Sequence, residues 1–253
     1  MFTIRPRRRR RRLLPAAAVL ILILGAGLAL ARPGRLPAPG DPAAKAAPPA
    51  RPSSIVGTKG QDQPPVPEVS LAGLRWSDFN GVELPSSVPA GPREIRGDAA
   101  AGFAHSPLGA LLAAVNIGVR ANAQWGPRLF TAVIRGQVTG PDAAALLASC
   151  QAAYDQASQA EGVTGGQPLG TVDVAEEAFR WVAYTPEAAI LDLVSAGPDA
   201  SGATVRASVQ LEAVWDGGDW KVVAPPGGDW GNSAAPLSSL AGYTVFPGQG
   251  GGR

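Results

Sequence analysis

The sequence contains one cysteine, Cys150, and one histidine, His105. A single cysteine excludes a disulfide within the chain, so the folded part must be stabilised by its hydrophobic core. The lone histidine has no second histidine and no cysteine–histidine pair with which to hold a metal ion. We therefore expect no metal-binding residue, no cofactor-binding residue and no cofactor.

Both residues have simple structural interpretations. His105 precedes a predicted helix, and a lone histidine at a helix entry is usually structural. Cys150 falls on the apolar stripe of another predicted helix, and no basic neighbour is evident that would lower the pKa of its thiol. We expect neither to be catalytic, and we expect no catalytic residue elsewhere.

Positive charge is scarce outside the N-terminal region. Residues 1–60 contain 12 basic residues and one acidic residue, for a net charge of +11. Residues 61–253 contain 10 basic and 19 acidic residues, for a net charge of −9. An acidic domain repels a polyanion, so nucleic acid is not an expected partner.

One long apolar run, residues 13–31, has no charged residue and directly follows the arginines at 7–12. Nineteen helical residues at about 1.5 Å each match the thickness of a bilayer, so the run predicts a transmembrane helix. The arginines place the N-terminus in the cytoplasm and the rest of the chain outside it, in a single-pass protein of the cell membrane. A cleaved signal peptide ending before Arg32 is the alternative.

Composition divides the chain into six segments. Residues 32–67 are rich in Pro, Ala, Gly and Ser and have little to bury, which is typical of a disordered stalk. The predicted segments are a cytoplasmic basic tail (1–12), a transmembrane helix (13–31), the stalk (32–67), an extended arm (68–98), an extracytoplasmic α+β domain (99–247) and a disordered tail (248–253).

Two helices are predicted in the domain. Ser106 and Pro107 form a helix start, and apolar residues at helical spacing extend that helix to about Asn122. A second helix begins near Pro141 and ends before Gly162. Residues 129–138 between them predict a short strand or an irregular connection.

A change to alternating hydrophobicity predicts strands over residues 177–184, 188–195 and 204–215. The turn 216–219 then returns the chain as a hairpin. If these four residues form the loop, three buried pairs follow, namely Trp215 with Trp220, Ala213 with Val222 and Leu211 with Ala224.

Two helices on a twisted antiparallel sheet form an α+β fold whose order resembles the cone-shaped nuclear-transport-factor-like fold. The likeness is sharpest in GVELPSSVPAGP (81–92), GFAHSPLGALLAAVN (102–116) and WDGGDWK (215–221). These motifs resemble an uncharacterised family of single-span membrane proteins in actinobacteria, similar to assembly subunits of type IV conjugation channels. The resemblance implies a structural subunit that contacts the membrane, other copies of itself and channel membrane proteins.

Two further groups of residues are possible sites. An enzyme on this fold would need a shielded carboxylate or tyrosine in a pocket, but acids beside strand starts are usually solvated. The candidates are Tyr154, Asp173, Glu176, Glu177 and Asp192. Tryptophans could instead form a sugar-binding platform, although core positions are the stronger interpretation. These are Trp76, Trp125, Trp181, Trp215, Trp220 and Trp230.

We therefore expect a non-enzymatic structural subunit outside the cytoplasm, in a conjugation or type IV secretion assembly. An exported domain that binds a small ligand or a cell-wall glycan is the alternative.

Overall fold

The computed structural model describes residues 66–248 except Asp98 and Ala200. The predicted basic tail, the predicted transmembrane segment 13–31, all but two residues of the predicted stalk and all but one of the predicted C-terminal tail lie outside the described residues. Within the described part, no helix is both long and apolar enough to cross a bilayer.

The described residues form an α+β structure in which three helices pack on a mostly antiparallel sheet. The helices are α1 (Pro107–Arg120), α2 (Pro127–Gln137) and α3 (Ala143–Glu161). The strands before α1 are β1 (Arg75–Phe79), β2 (Val82–Ser86), β3 (Glu94–Arg96) and β4 (Ala99–Ala101). The later strands are β5 (Val138–Thr139), β6 (Ala175–Tyr184), β7 (Ala188–Pro198), β8 (Thr204–Trp215), β9 (Trp220–Val223), β10 (Ala234–Pro236) and β11 (Thr244–Val245). The α+β class is confirmed, whereas the prediction of two helices is wrong.

Helix α1 begins as the sequence predicts. Ser106 is its N-cap, and the Ser106 side chain accepts a hydrogen bond from the Gly109 amide at 3.1 Å. Pro107 occupies the first turn, where its missing N–H costs nothing. Residues 109–117 are all buried, so this helix is covered on every side.

Helix α2 corrects the prediction of a strand or irregular connection over residues 129–138. Pro127 starts this helix instead of ending the previous structure, because proline is well suited to a first helical turn. The buried residues Leu129, Phe130, Val133 and Ile134 repeat at helical spacing. A pattern of this kind is easily read as alternation when only one short stretch is considered.

Helix α3 ends where the sequence predicts. Gly162 lies just past its last residue with a left-handed backbone (φ 68°, ψ 27°), a conformation that favours glycine. One buried stripe, formed by residues four positions apart, faces the interior. Its members are Leu146, Cys150, Tyr154 and Ser158.

The main sheet has the strand order β11-β6-β7-β8-β9-β5, and β10 pairs with a second part of the β8 edge. All pairs are antiparallel except β5 with β9. The hairpin register is confirmed for Trp215 with Trp220 and for Ala213 with Val222. The third predicted pair is not formed, because β9 ends at Val223 and the next amide, of Ala224, donates to the Thr139 carbonyl instead.

The sheet has an inner face that packs on α1 and an outer face that points away from it. Along β8, buried Val209 and Leu211 point inward and alternate with exposed Gln210. The register carries this alternation into β7, where Leu193 and Ser195 share the inner face. These inner-face residues surround the site described below.

Residues 237–246 cross the outer face of the sheet from β8 to β6. The Leu237 amide donates to the Arg206 carbonyl on β8 at 3.0 Å, and the Tyr243 ring lies 4.7 Å from the Arg180 guanidinium carbon on β6. The segment then joins β6 as β11. Small apolar side chains of the outer face between these strands are buried, namely Ala178, Val194 and Ala196.

We expect Trp220→Ala to destabilise the fold by about 3–5 kcal/mol, because Trp220 is only 1% exposed and its indole N–H donates to the Ala104 carbonyl. The alternation of β8 predicts a buried Trp215, but the residue is partly exposed near the hairpin turn, so Trp215→Ala should destabilise the fold less than Trp220→Ala. Denaturant unfolding of the two variants measures the difference.

Val88→Ala is the control, because Val88 is 75% exposed and its loss should change stability by less than about 0.5 kcal/mol. Equal stabilities for the Trp220 variant and this control would contradict the described packing of the hairpin.

Candidate functional site

A carboxyl group is buried on the inner face of the sheet. Glu176, near the start of β6, is 2% exposed. Its Cα partner on β7 is Ser195, which is equally buried, and the Ser195 hydroxyl donates to Glu176 Oε2 at 2.5 Å. The two strands thus place a carboxyl and a hydroxyl side by side in the interior.

These two side chains line a small cavity, which we call the Glu176 slot. Its volume is about 40 Å³, enough for a few atoms of water size and well below the roughly 150 Å³ that accommodates a benzene ring. The remaining lining residues are apolar or glycine and come from α1, β7, β8 and the segment after β9, namely Gly118, Val119, Leu193, Val209, Leu211 and Trp230. The slot therefore offers one acid within apolar walls.

Burial changes the acidity of Glu176. Desolvation raises the pKa of its carboxyl from 4.5 to about 7, although the hydrogen bond from Ser195 acts in the opposite direction. Glu176 thus exchanges its proton near neutral pH. The expectation that acids beside strand starts are solvated is wrong for Glu176, because β6 begins at Ala175 and strand alternation turns the Glu176 side chain inward.

The other candidate acids do not join Glu176. Glu177 forms a hydrogen-bonded ion pair with Arg206, and Asp192 forms one with Arg180. Asp192 also accepts a hydrogen bond from Gln210 on the outer face. Asp173 is exposed before β6. The structure therefore brings no second carboxylate to the Glu176 slot among the described residues.

Tyr154 and Cys150 lie together on the buried stripe of α3. The Tyr154 hydroxyl donates to the Gln167 carbonyl at 2.8 Å and so holds the loop after α3 against the helix. Burial raises the pKa of the Cys150 thiol to about 12, which keeps the sulfur protonated and a poor nucleophile. The hydrogen bond of Tyr154 and the buried thiol of Cys150 are therefore structural features of the core.

His105 lies on the surface at the entry to α1. Its ring stacks on Trp215 with ring centroids 4.3 Å apart and an angle of 9° between the planes. Nε2 lies 2.7 Å from the Pro186 carbonyl in the turn between β6 and β7. The histidine therefore joins the helix entry to two turns of the sheet.

Most of the tryptophans belong to the core, and none forms an exposed platform. Those that are buried are Trp125, Trp181, Trp220 and Trp230, while Trp76 and Trp215 are partly exposed. Trp230 closes one side of the Glu176 slot, and its indole N–H donates to the Ala121 carbonyl at 3.3 Å.

The model of a family described as "Domain of unknown function (DUF8175)" matches residues 37–245. The chain belongs to the DUF8175 family. No curated protein and no solved structure matches it.

A buried polar pair in the DUF8175 domain escaped the sequence analysis. On α1, Arg120 donates to Asn116 Oδ1 at 2.7 Å, and Asn116 Nδ2 donates to the Pro85 carbonyl of the arm at 3.0 Å. The Arg120 guanidinium also lies over the Phe79 ring, 4.6 Å from its centroid. The only signal in the sequence was two polar residues four positions apart on an otherwise apolar helix, which predicts proximity but not burial.

We expect the DUF8175 domain to lose stability between about pH 4.5 and pH 7 because of Glu176. The folded pKa is raised, so the folded state binds more protons than the unfolded state in this window, and the free energy of unfolding falls as pH rises. The loss should be on the order of 3 kcal/mol and should stop above the folded pKa. Denaturant unfolding at pH 5, 6, 7 and 8 measures it.

Glu176→Gln should remove this component of the pH dependence and leave the variant more stable than the wild type at pH 8. Glu212→Gln is the control, because Glu212 is an exposed outer-face residue of β8. A wild-type pH profile in the Glu176 variant would show that the carboxyl is solvated.

Proposed function

We propose that this DUF8175 protein is a single-span membrane protein that acts as a non-enzymatic structural subunit of a conjugation or type IV secretion assembly. In this proposal, residues 13–31 form the anchor, the N-terminus is cytoplasmic, and the residues after the anchor lie outside the cytoplasm. The folded domain associates with copies of itself and with channel membrane proteins.

The sequence supports the anchor and its orientation. Arginines at 7–12 precede an uncharged run of 19 residues, and the region that follows, up to residue 67, is rich in Pro and Ala. Such a region can separate a domain from the bilayer surface. A shared membrane raises the local concentration of the anchored domains, so weak contacts between them suffice for assembly.

The fold supports the family analogy. Helices packed on a mostly antiparallel sheet are similar to the nuclear-transport-factor-like cone, which assembly subunits of type IV channels share with many unrelated proteins. Fold alone does not specify function, so this step rests on the combination of anchor, stalk and domain.

One observation carries the non-enzymatic part of the proposal: the chemically capable side chains are engaged in structural contacts. His105 stacks on Trp215, Tyr154 holds a loop, and Cys150 is a protonated core thiol. Glu176 does meet the requirement for a shielded carboxylate in a pocket. The slot around it, however, is small, about 40 Å³, and its described lining holds no second ionisable group that could act with Glu176 as an acid–base pair.

The alternative function is binding of a small ligand by the exported domain, and the Glu176 slot is the observation that favours it. A cell-wall glycan has less support, because the tryptophans that could stack on sugar rings are mostly buried. Neighbouring genes for a conjugative ATPase and a polytopic channel protein would favour the structural subunit. Wall-synthesis genes in that position would favour the alternative.

We expect protease added to intact, wall-stripped cells to remove the domain and leave a small membrane-bound fragment that contains residues 13–31. This result follows if the apolar run stays uncleaved with the N-terminus inside. Immunoblotting with a tag at the N-terminus detects the fragment. A mature soluble chain that begins at Arg32 would contradict the anchor.

We expect a deletion strain to lose DNA transfer and to regain it with His105→Ala or Cys150→Ala, because neither side chain supplies chemistry in this proposal. A variant without residues 13–31 should not restore transfer even if its domain folds, since assembly requires a shared membrane. Transfer frequency is the measurement, and immunoblots confirm equal protein levels. Normal transfer in the deletion strain, or failure of the His105 variant alone, would refute the structural role.

A further inference from the structure

One carboxyl oxygen of Glu176 accepts no hydrogen bond from the described residues. Glu176 Oε2 accepts the hydrogen bond from Ser195, whereas Oε1 accepts none from any described residue. The described side-chain atoms that are sealed from solvent without a partner are Gln137 Oε1 and Trp181 Nε1, so Glu176 Oε1 is not fully sealed, and the slot is a cavity that Glu176 lines. A ligand in the slot would meet this oxygen.

We propose that the Glu176 slot binds the primary ammonium group of an unbranched aliphatic amine, with the ammonium donating to Glu176 Oε1 and the alkyl chain lying along the apolar walls. This site goes beyond the structural role proposed above and does not depend on it.

Charge is the first reason for this choice of ligand. Among the described residues that line the slot, Glu176 is the only ionisable one. Charged residues on neighbouring strands face the other side of the sheet and pair there, Glu177 with Arg206 and Asp192 with Arg180. A carboxylate in this position lacks a counter-ion, and a cation brought by a ligand supplies it.

Helix α1, the other element packed on the slot, contributes no counter-ion from its lining residues, Gly118 and Val119. Its one arginine, Arg120, is directed to Asn116 on the same helix and to the Phe79 ring in the arm. Within the described part of the chain, no cationic side chain lines the slot with which the ammonium group of a ligand would compete for Glu176.

Size is the second reason. A cavity of about 40 Å³ admits an ammonium group, which is close to water in size, but excludes a quaternary ammonium or an aromatic ring. The slot is partly open to solvent, so an alkyl chain attached to the ammonium group can extend towards its mouth. Val119, Leu193 and Trp230 offer that chain apolar contact.

A primary alkylammonium occurs both in free diamines and in the lysine side chains of proteins. The test therefore uses n-butylamine as the basic probe, n-butanol as its uncharged match, and tetramethylammonium as its oversized match. It then adds 1,5-diaminopentane and Nα-acetyl-lysine methylamide as models of the two sources. Binding is measured by calorimetry and by NMR on the full-length chain in a non-ionic detergent.

We expect n-butylamine to bind and n-butanol and tetramethylammonium not to bind. The amine stays protonated throughout, so its affinity follows ionisation of Glu176 and should rise about tenfold from pH 6 to pH 8, given a carboxyl pKa of about 7. Preferential binding of 1,5-diaminopentane or of the lysine derivative identifies the source of the ligand. Equal binding of both shows that the slot recognises only the alkylammonium group that they share.

Two variants and a matched control locate the binding. Glu176→Gln should abolish binding of the amine, while Glu177→Gln, the same change on the next residue, should retain it. Gly118→Ala narrows the slot without a clash, because the added methyl would lie 3.5 Å from a Leu211 methyl group, and alanine also favours the helix. It should weaken amine binding at least severalfold in a chain that folds normally.

Equal binding of n-butanol and n-butylamine, retained amine binding in the Glu176 variant, or no amine binding at pH 8 would each overturn the proposal. Any of these results leaves the DNA-transfer experiment unaffected, so failure of the slot and failure of the structural role can be told apart.

Discussion

Helix α1 must be covered on every side, and the rest of the domain is arranged to cover it. Its residues from Gly109 to Ile117 are buried, and a helix that is apolar all round is stable in water only inside a structure. Three layers supply that cover. The inner face of the sheet, through β7, β8 and β9, forms the first layer, β2 of the arm together with β4 forms the second, and α2 forms the third.

The close packing of α1 against its neighbours depends on glycine in the helix. A side chain at Gly109 would collide with the Ala104 carbonyl, because its first carbon would lie 2.0 Å from that oxygen. Gly118 has no such collision, and its lack of a side chain leaves open the end of the helix that faces Glu176. The same helix thus seals the core at one end and borders the slot at the other.

The parts of the fold that depend on local sequence were the predictable ones. The start of α1 at Ser106 and the hairpin register around Trp215 and Trp220 follow from capping and alternation over a few residues. Helix α2 was missed because it is short and amphipathic and begins with a Gly-Pro pair that also occurs in turns.

The candidate site was less predictable, because burial of a carboxyl is a property of the whole fold. Nothing in the residues around Glu176 distinguishes it from Glu177, yet strand pairing sends the first inward to Ser195 and the second outward to Arg206. The difference is a shift of one position on a strand, which reverses the face of the sheet. Asn116 and Arg120 likewise required the arm to be in place before their burial was evident.

The contacts of Trp76 with Phe246 and Pro247 join the beginning of the described domain to its far end. The Trp76 indole N–H donates to the Pro247 carbonyl, 171 residues later, and the Trp76 ring meets Phe246 edge-on. Closing so long a loop gains nothing until the intervening elements have assembled. The β1–β2 hairpin, which is a sheet of its own, is therefore held against the residues next to β11, so a force applied before residue 66 would act on β11 as well as on β1. Mechanical load from the N-terminal side would be shared between two segments that are remote in the chain and adjacent in space.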